Sequence, residues 1–216
     1  MPLQNRVTPF GEIVAVPERG SFMGNRGRIH NELRKLKSRH WDRKAWITCL
    51  LQFKGRHRQM MAPSTYTELF FLDEATAFAA GHRPCGECRR SDAKRFKKLW
   101  LEVNGALLQG KTGTMSNMDA VLHSERIARD GTQRRWEARL SELPDGAMVL
   151  VDDPGPALLL QKGSLYLWSS AGFVERIPVS SGRTVTVLTP PSVTRALAAG
   201  YRPVVHPSVD ALVADR

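Results

Sequence analysis

The stretch Thr65–Arg90, TYTELFFLDEATAFAAGHRPCGECRR, decides the fold of the surrounding chain because it holds an unbroken series of local structural signals. The apolar run 67–72 predicts a strand. Asp73 is a good helix N-cap, because its carboxylate can accept hydrogen bonds from the free amides of the first helical turn. A short helix is expected over 74–80, and Gly81 can take the left-handed conformation that ends it. The predicted order is therefore strand, helix and tight turn.

A pair of thiols, Cys85 and Cys88, follows this turn directly. Pro84 excludes further helix immediately before the first of them. Two cysteines three positions apart on a turn direct their sulfur atoms to one side, which suits a tetrahedral Zn²⁺ site. The chain has three cysteines, and an odd number argues against a disulfide framework. In a reducing compartment such a pair is more typical of a metal or redox site.

The helix and the thiol pair resemble the second half of the zinc-binding domain of the bacterial Ada methylation-repair protein, a pattern that recurs in Ada-like zinc modules of bacterial nucleases. In that family an alanine-rich helix leads into Gly-[aromatic]-Arg-Pro-Cys-x-x-Cys, and here His82 replaces the aromatic residue. A weaker similarity links 22–30, FMGNRGRIH, to the segment that opens the nuclease-attached modules. The resemblance implies a bound zinc ion. The matching positions are Ala77, Ala79, Ala80, Gly81, Arg83, Pro84, Cys85 and Cys88.

The family supplies two further ligands before the strand, and this chain departs from that pattern. Arg34 stands where a cysteine would follow His30 in the family's spacing. His30 and His57 are nevertheless candidate ligands, the second because it lies near the family's nearer upstream cysteine. Cys49 is the remaining candidate. It lies within an apolar predicted strand, 45–53, where a cysteine is often a small buried hydrophobe rather than a ligand.

The charge of the chain is strongly segregated along the sequence. The formal net charge is +11, and residues 1–116 hold 21 Lys and Arg against 10 Asp and Glu, whereas residues 117–216 hold 11 against 11. A field of this kind favours polyanions, although a basic face can also serve solubility alone. From this segregated basic charge we predict that the protein binds nucleic acid. The predicted contact residues are Arg34, Lys35, Lys37, Arg39, Arg56, Arg58, Arg83, Arg89 and Arg90.

Two parts are predicted, and the fold class is α+β. Residues 1–104 form a small Ada-like zinc-knuckle module, and 105–116 is a flexible-looking boundary. Residues 117–216 begin with a helix and continue as short apolar runs, separated by turn signals at intervals of roughly ten residues. This pattern predicts an antiparallel β-meander with helices. The role of this second part is not indicated by any motif.

The segment 184–203 repeats part of the decisive stretch. It aligns with 65–84 without gaps, and nine of the twenty positions are identical. Val204 stands where Cys85 would be matched, so this copy cannot bind a metal in the same way. A duplicated half that lost its site is one interpretation. The other is that strand, helix, glycine and proline form a common supersecondary combination.

The leading functional prediction is a zinc-stabilised nucleic-acid-binding protein, with the link to DNA repair or DNA processing that the resemblance implies. The first alternative is a metal-dependent nuclease or alkyl-transfer enzyme on DNA, because the Ada domain removes methyl groups from DNA phosphotriesters through a zinc-bound cysteine. The second is a protein-interaction module with a structural knuckle. No known catalytic motif appears, so no catalytic residue is predicted. No apolar run approaches the ~20 residues that span a bilayer. With no signal pattern at the N-terminus, a cytoplasmic protein without membrane contact is expected.

Overall fold

Two six-stranded sheets and the helices that separate and cover them make up the α+β fold. The structure is a computed structural model, and it describes residues 1–55, 59–178, 180 and 182–214. Within these ranges no helix combines the length and the apolar character that crossing a membrane requires. The two sheets and the helices confirm the predicted α+β fold class.

The first sheet is mixed and holds the site. Its spatial order is β2-β1-β5-β3-β4-β6. The β1–β5 and β4–β6 pairs are parallel, and the other neighbours are antiparallel. The β4–β6 pair joins segments that lie far apart in the sequence, and it positions the site described below. The strands are β1 (Arg6–Val7), β2 (Ile13–Val14), β3 (Phe22–Asn25), β4 (Ile47–Cys49), β5 (Leu69–Phe71) and β6 (Arg83–Pro84).

The second sheet is wholly antiparallel, with the order β11-β10-β9-β8-β12-β7. The predicted meander is present from β8 to β11. The last strand, β12, does not add beside β11 but returns to β8, and it is flanked by β7, a strand that the sequence pattern did not predict. The strands are β7 (Trp136–Arg139), β8 (Met148–Leu150), β9 (Leu158–Gln161), β10 (Ser164–Ser169), β11 (Gly172–Ile177) and β12 (Thr184–Val187).

The helices follow the local signals closely. They are α1 (Glu74–Ala79), α2 (Arg90–Asn104), α3 (Met115–Arg126), α4 (Pro191–Ala198) and α5 (Ser208–Ala214). Asp73 caps α1 as predicted, accepting a hydrogen bond of 2.8 Å from the Thr76 N–H. Helix α2 begins at Arg90, and Asp92 in its first turn accepts hydrogen bonds from the Arg89 guanidinium.

Helix α1 is the centre of the molecule, and all six of its residues are buried. Its small alanines allow close approach on two sides: Ala75 and Ala79 pack against the second sheet, and Ala77 packs within the first. Phe78 points into a third cluster, formed with α2, α3 and α4. The division at 104–117 stays a prediction, and contacts cross it: the Tyr201 hydroxyl donates to Glu74 at 2.9 Å.

The two similar segments end their helices in the same way. The Gly81 N–H donates to the carbonyl of Phe78, and the Gly200 N–H donates to the carbonyl of Leu197 at the matching position. Both glycines have positive φ, +79° and +106°. The next residue in each copy, His82 or Tyr201, is fully buried. The two segments are therefore similar in structure as well as in sequence. Both a duplication and a common supersecondary combination would produce this similarity.

Candidate metal centre

The parallel pairing of β4 with β6 brings Cys49 beside the thiol pair. Ile47 faces Arg83 and Thr48 faces Pro84 in the strand register. The Cys85 N–H then donates to the Thr48 carbonyl at 2.8 Å, which extends the ladder by one step. Cys49, the last residue of β4, and Cys85, the first residue after β6, therefore lie at the same end of the two paired strands, although they are 36 positions apart in the sequence.

The turn from Cys85 to Cys88 supplies backbone donors to sulfur. The Glu87 N–H lies 3.4 Å from the Cys85 Sγ, and the Cys88 N–H also hydrogen-bonds to that sulfur. The N–H of Leu50, the residue after Cys49, donates to the Cys88 Sγ. Amide donors favour a thiolate over a thiol, and metals bind the thiolate.

The three sulfur atoms of Cys49, Cys85 and Cys88 all lie within 4.8 Å of one another. In a tetrahedral zinc site with Zn–S bonds of about 2.3 Å, neighbouring sulfurs stand about 3.8 Å apart, so small side-chain adjustments would complete three corners. Within the described part of the chain no histidine nitrogen or carboxylate oxygen joins this group. The donor set therefore fits one thiophilic metal ion with three protein ligands.

The thiols polarise one another within this cluster. Hydrogen bonding from the Cys49 thiol lowers the pKa of Cys85 to about 5, against the opposing effect of burial, and the backbone donors of the turn add to the lowering. The same hydrogen bond raises the pKa of Cys49, and burial raises it further. These directions favour Cys85 as the sulfur that carries negative charge, with the Cys49 thiol as its hydrogen-bond donor. A divalent cation would take the place of that proton.

Two predicted nucleic-acid contacts are instead internal supports of the cluster. Arg83 forms a buried, two-pronged ion pair with Asp119, with both N···O distances at 2.7 Å. Arg89 lies 2.7 Å from a carboxylate oxygen of Glu74, and the exposed fraction of each of these two side chains is 2% or less. Because both guanidiniums are enclosed, we remove Arg83 and Arg89 from the predicted contact surface.

The other predicted site residues lie elsewhere. His30 is buried away from the thiols, with Nδ1 2.6 Å from the Thr67 Oγ1 and Nε2 3.2 Å from the Ala62 carbonyl oxygen. His57, Arg56 and Arg58 lie outside the described residues. The remaining predicted contacts are all exposed: Arg34, Lys35, Lys37, Arg39 and Arg90.

Cys49 is the residue whose role the sequence could not decide. Its apolar neighbours pointed to a core position, and it is indeed 92% buried, since its exposed fraction is 8%. Burial and ligation are compatible here, because the other two thiols reach it from the turn. The parallel β4–β6 pair is the missing signal, and nothing local in the sequence reveals such a pairing.

Comparisons with protein-family models, with curated proteins and with solved structures each found no match. The resemblance to the Ada zinc-binding domain therefore stays a prediction. The following proposals depend on the geometry and charge of this chain.

Proposed function

We propose that this protein is a zinc-stabilised nucleic-acid-binding protein. The observation that carries the proposal is the basic loop, which we define as residues 31–44. It contains six Lys and Arg, and all six are exposed. No salt bridge joins any of the six to another residue within the described ranges. Unpaired exposed cations concentrated on one loop favour a polyanionic backbone. They are Arg34, Lys35, Lys37, Arg39, Arg43 and Lys44.

The architecture supports a structural role for the metal. Cys49 ends β4, and Cys85 and Cys88 flank the turn that begins α2, so one ion would join a strand, a turn and a helix. Zinc fits this donor set because thiolate ligands suit it and it has no redox chemistry of its own. The basic loop 31–44 leads directly into the segment that carries β4. An ion at the cluster would therefore stabilise the base from which the loop extends.

An alkyl-transfer enzyme on DNA is the second candidate, and the presence of Cys49 in the cluster favours it. In the resembling family a zinc-bound cysteine thiolate attacks the methyl carbon of a phosphotriester, and the phosphodiester anion leaves. Cys88 is the most exposed of the three thiols here, and the other two are buried. Incubation with methylated phosphotriester DNA followed by mass spectrometry of the cysteine peptides tests this candidate directly.

The test of the leading proposal is a salt titration of binding by the full-length protein to a fluorescently labelled DNA duplex, followed by anisotropy. Replacing Arg34, Lys35 and Lys37 by Gln should weaken binding. It should also flatten the log–log salt slope by up to about 2.7, because each phosphate contact contributes about 0.9. An equal loss of charge at Lys94, Lys98 and Lys111, also exposed, is the control.

The control triple should leave the slope near the wild-type value. If both triples reduce binding equally, the basic loop is not the contact surface. If the wild-type protein binds weakly and without salt dependence, the proposal of a nucleic-acid partner fails.

A further inference from the structure

A cavity of about 750 Å³ is lined in part by residues 38–41 of the basic loop. The rest of its wall comes from residues 10–12, from Arg26 directly after β3, from Trp46, and from the end of α3 with the segment that follows it. A volume of this size matches pockets for small organic ligands. We call this cavity the arginine pocket, because five of its lining residues are arginines. They are Arg26, Arg39, Arg126, Arg129 and Arg135.

Arg26 is buried in the wall of this pocket without an acidic partner. Its exposed fraction is 2%. The guanidinium donates to His82 Nε2 at 3.3 Å and to the Gly11 carbonyl at 3.2 Å, and one terminal nitrogen has no partner. Burial lowers the pKa of Arg26 to about 9. No carboxylate within the described residues forms a salt bridge with it, so the charge of this buried group is uncompensated.

Arg126, at the end of α3, is a second buried arginine in the wall of this pocket. It is also 2% exposed, and it donates to the carbonyls of Gly81 and Lys44 and to His123 Nδ1. Its Nε is buried without a partner. Burial lowers the pKa of Arg126, and the neighbouring charge of Arg26 lowers it further; Asp119, which forms its ion pair with Arg83, acts in the opposite direction.

The rings of the pocket explain part of this arrangement but not all of it. Both guanidinium carbons lie close to the Trp46 ring centroid, at 4.1 Å for Arg26 and 4.0 Å for Arg126. Cation–π contacts favour the positive groups there. They leave one N–H group of each arginine, Arg26 Nη2 and Arg126 Nε, without a hydrogen-bond partner and supply no negative charge. Removing an unpaired charge from water carries a substantial free-energy cost, which a bound anion would offset.

The remaining charges of the lining leave the pocket positive. Its only carboxylates among the described lining residues are Glu12 and Asp130, so five arginines against two acids leave 5 − 2 = +3. Asp130 is already occupied by the Thr132 amide and hydroxyl. Arg135 has a partner in Asp153 at 2.7 Å, whereas Arg39 stacks 5.1 Å from the Trp41 ring centroid.

We propose that the arginine pocket binds a phosphate monoester that carries an aromatic base, held by Arg26, Arg126 and the rim residues Arg39 and Arg129. Guanidinium groups match the oxygen geometry of phosphate, and several of them together favour it over a single carboxylate. Trp41 also lines the pocket, where its ring can stack on an aromatic base, and its buried indole N–H has no partner.

Two sources can supply this chemistry, a free nucleotide and the phosphorylated end of a nucleic-acid strand. The proposal goes beyond the proposed function, because a nucleotide pocket does not require the basic loop to bind a duplex. The two surfaces are nonetheless continuous through residues 38–41. A strand held on the loop could therefore place its terminal phosphate in the pocket.

The test measures binding to the full-length protein by calorimetry and by the melting temperature at constant ionic strength. The probes are inorganic phosphate, adenosine 5′-monophosphate, adenosine, and one short oligonucleotide with either a 5′-phosphate or a 5′-hydroxyl. Adenosine 5′-monophosphate should bind and raise the melting temperature, and adenosine should do neither. If the phosphorylated end binds at least tenfold more tightly than the hydroxyl end, a strand end is the ligand. Equal binding of both ends, with the nucleotide bound, assigns a free nucleotide.

The variants test the exposed rim and the buried wall of the pocket in turn. Arg39 also belongs to the basic loop, so the readout is binding of the mononucleotide rather than of a strand. Arg39→Gln with Arg129→Gln alters only exposed rim residues and should weaken nucleotide binding at least tenfold. Lys94→Gln with Lys98→Gln removes the same charge from exposed positions outside both the pocket and the basic loop and should leave nucleotide binding within twofold. Arg126→Gln, whose melting temperature is checked first, should abolish it.

The proposal is overturned if phosphate and the nucleotide neither bind nor shift the melting temperature, or if the rim variant binds like the wild type. These results are distinct from a failure of the proposed function. That failure appears as a lost salt dependence on duplex DNA, whereas the pocket is judged on a mononucleotide.

Discussion

Gly81 lies between the turn that holds Cys85 and Cys88 and the arginine pocket, and its carbonyl accepts a hydrogen bond from Arg126. Its φ is +79°, and a Cβ built on it would lie 2.4 Å from the Arg126 Cδ. Two separate costs follow for any larger residue: the left-handed backbone, and displacement of a buried arginine. The glycine of the family pattern is therefore needed here both for the turn and for the position of a pocket residue.

We expect Gly81→Ala to destabilise the protein more than Gly200→Ala, its counterpart in the repeated segment. Both substitutions place a side chain at positive φ, which costs about 1–2 kcal/mol. At Gly200 no atom lies within 4 Å of the new methyl group, so only that cost applies. At Gly81 overpacking adds about 1–3 kcal/mol.

Urea denaturation of both variants measures this difference. Equal losses in the free energy of unfolding would show that Arg126 moves aside at no cost. The close approach of Arg126 to Gly81 would then contribute nothing to stability. The nucleotide affinity of Gly81→Ala, measured on the folded protein, shows whether the displaced arginine also impairs the pocket.

At the scale of elements, local signals predicted what each segment becomes but not what it pairs with. Asp73, the alanines of α1 and Gly81 act within a few residues of one another, and the strand, helix and turn formed as expected. The ladder between β4 and β6 depends on a register across 36 positions, from Thr48 to Pro84. No hydrophobic period encodes that register, so Cys49 could not be assigned from the sequence. Its place in the thiol cluster follows only from the pairing.

For the arginines that flank the thiol pair, the charge of the surrounding segment led to a prediction that the structure corrects. Their position in a basic segment suggested a phosphate contact, yet Arg83 and Arg89 are enclosed by Asp119, Glu74 and Asp92. The acidic partners come from three different helices, which the sequence order does not reveal. Burial converts these two cations from surface contacts into supports of the thiol turn.

We therefore expect Arg89→Met to lower the free energy of unfolding by about 3–5 kcal/mol, because it leaves the buried Glu74 carboxylate without its cation. The neighbouring Arg90→Met changes an exposed side chain and should cost within about 0.5 kcal/mol. Thermal and chemical denaturation of both variants provide the measurement. If the Arg89 variant is as stable as the wild type and only its DNA affinity falls, the original surface interpretation is correct after all.

At the scale of the whole molecule, helix α1 makes the two sheets mutually dependent. It contributes to three hydrophobic clusters, and its Glu74 receives hydrogen bonds from Tyr201 and Val204 near the other end of the chain. The segment 117–216, whose basic and acidic residues balance, thus supports the helix that leads to the turn holding Cys85 and Cys88. This gives the neutral half a structural role that its sequence did not indicate.

The metal content of the purified full-length protein tests the central proposal most directly. Elemental analysis of wild-type protein prepared without chelator should give about one zinc per chain. Cys49→Ala, Cys85→Ala and Cys88→Ala should each lose most of that zinc. Val149→Ala, a fully buried truncation in the second sheet, should retain it. A metal-free wild-type protein, or a Cys49→Ala variant that keeps a full zinc equivalent, would contradict a three-thiolate metal centre.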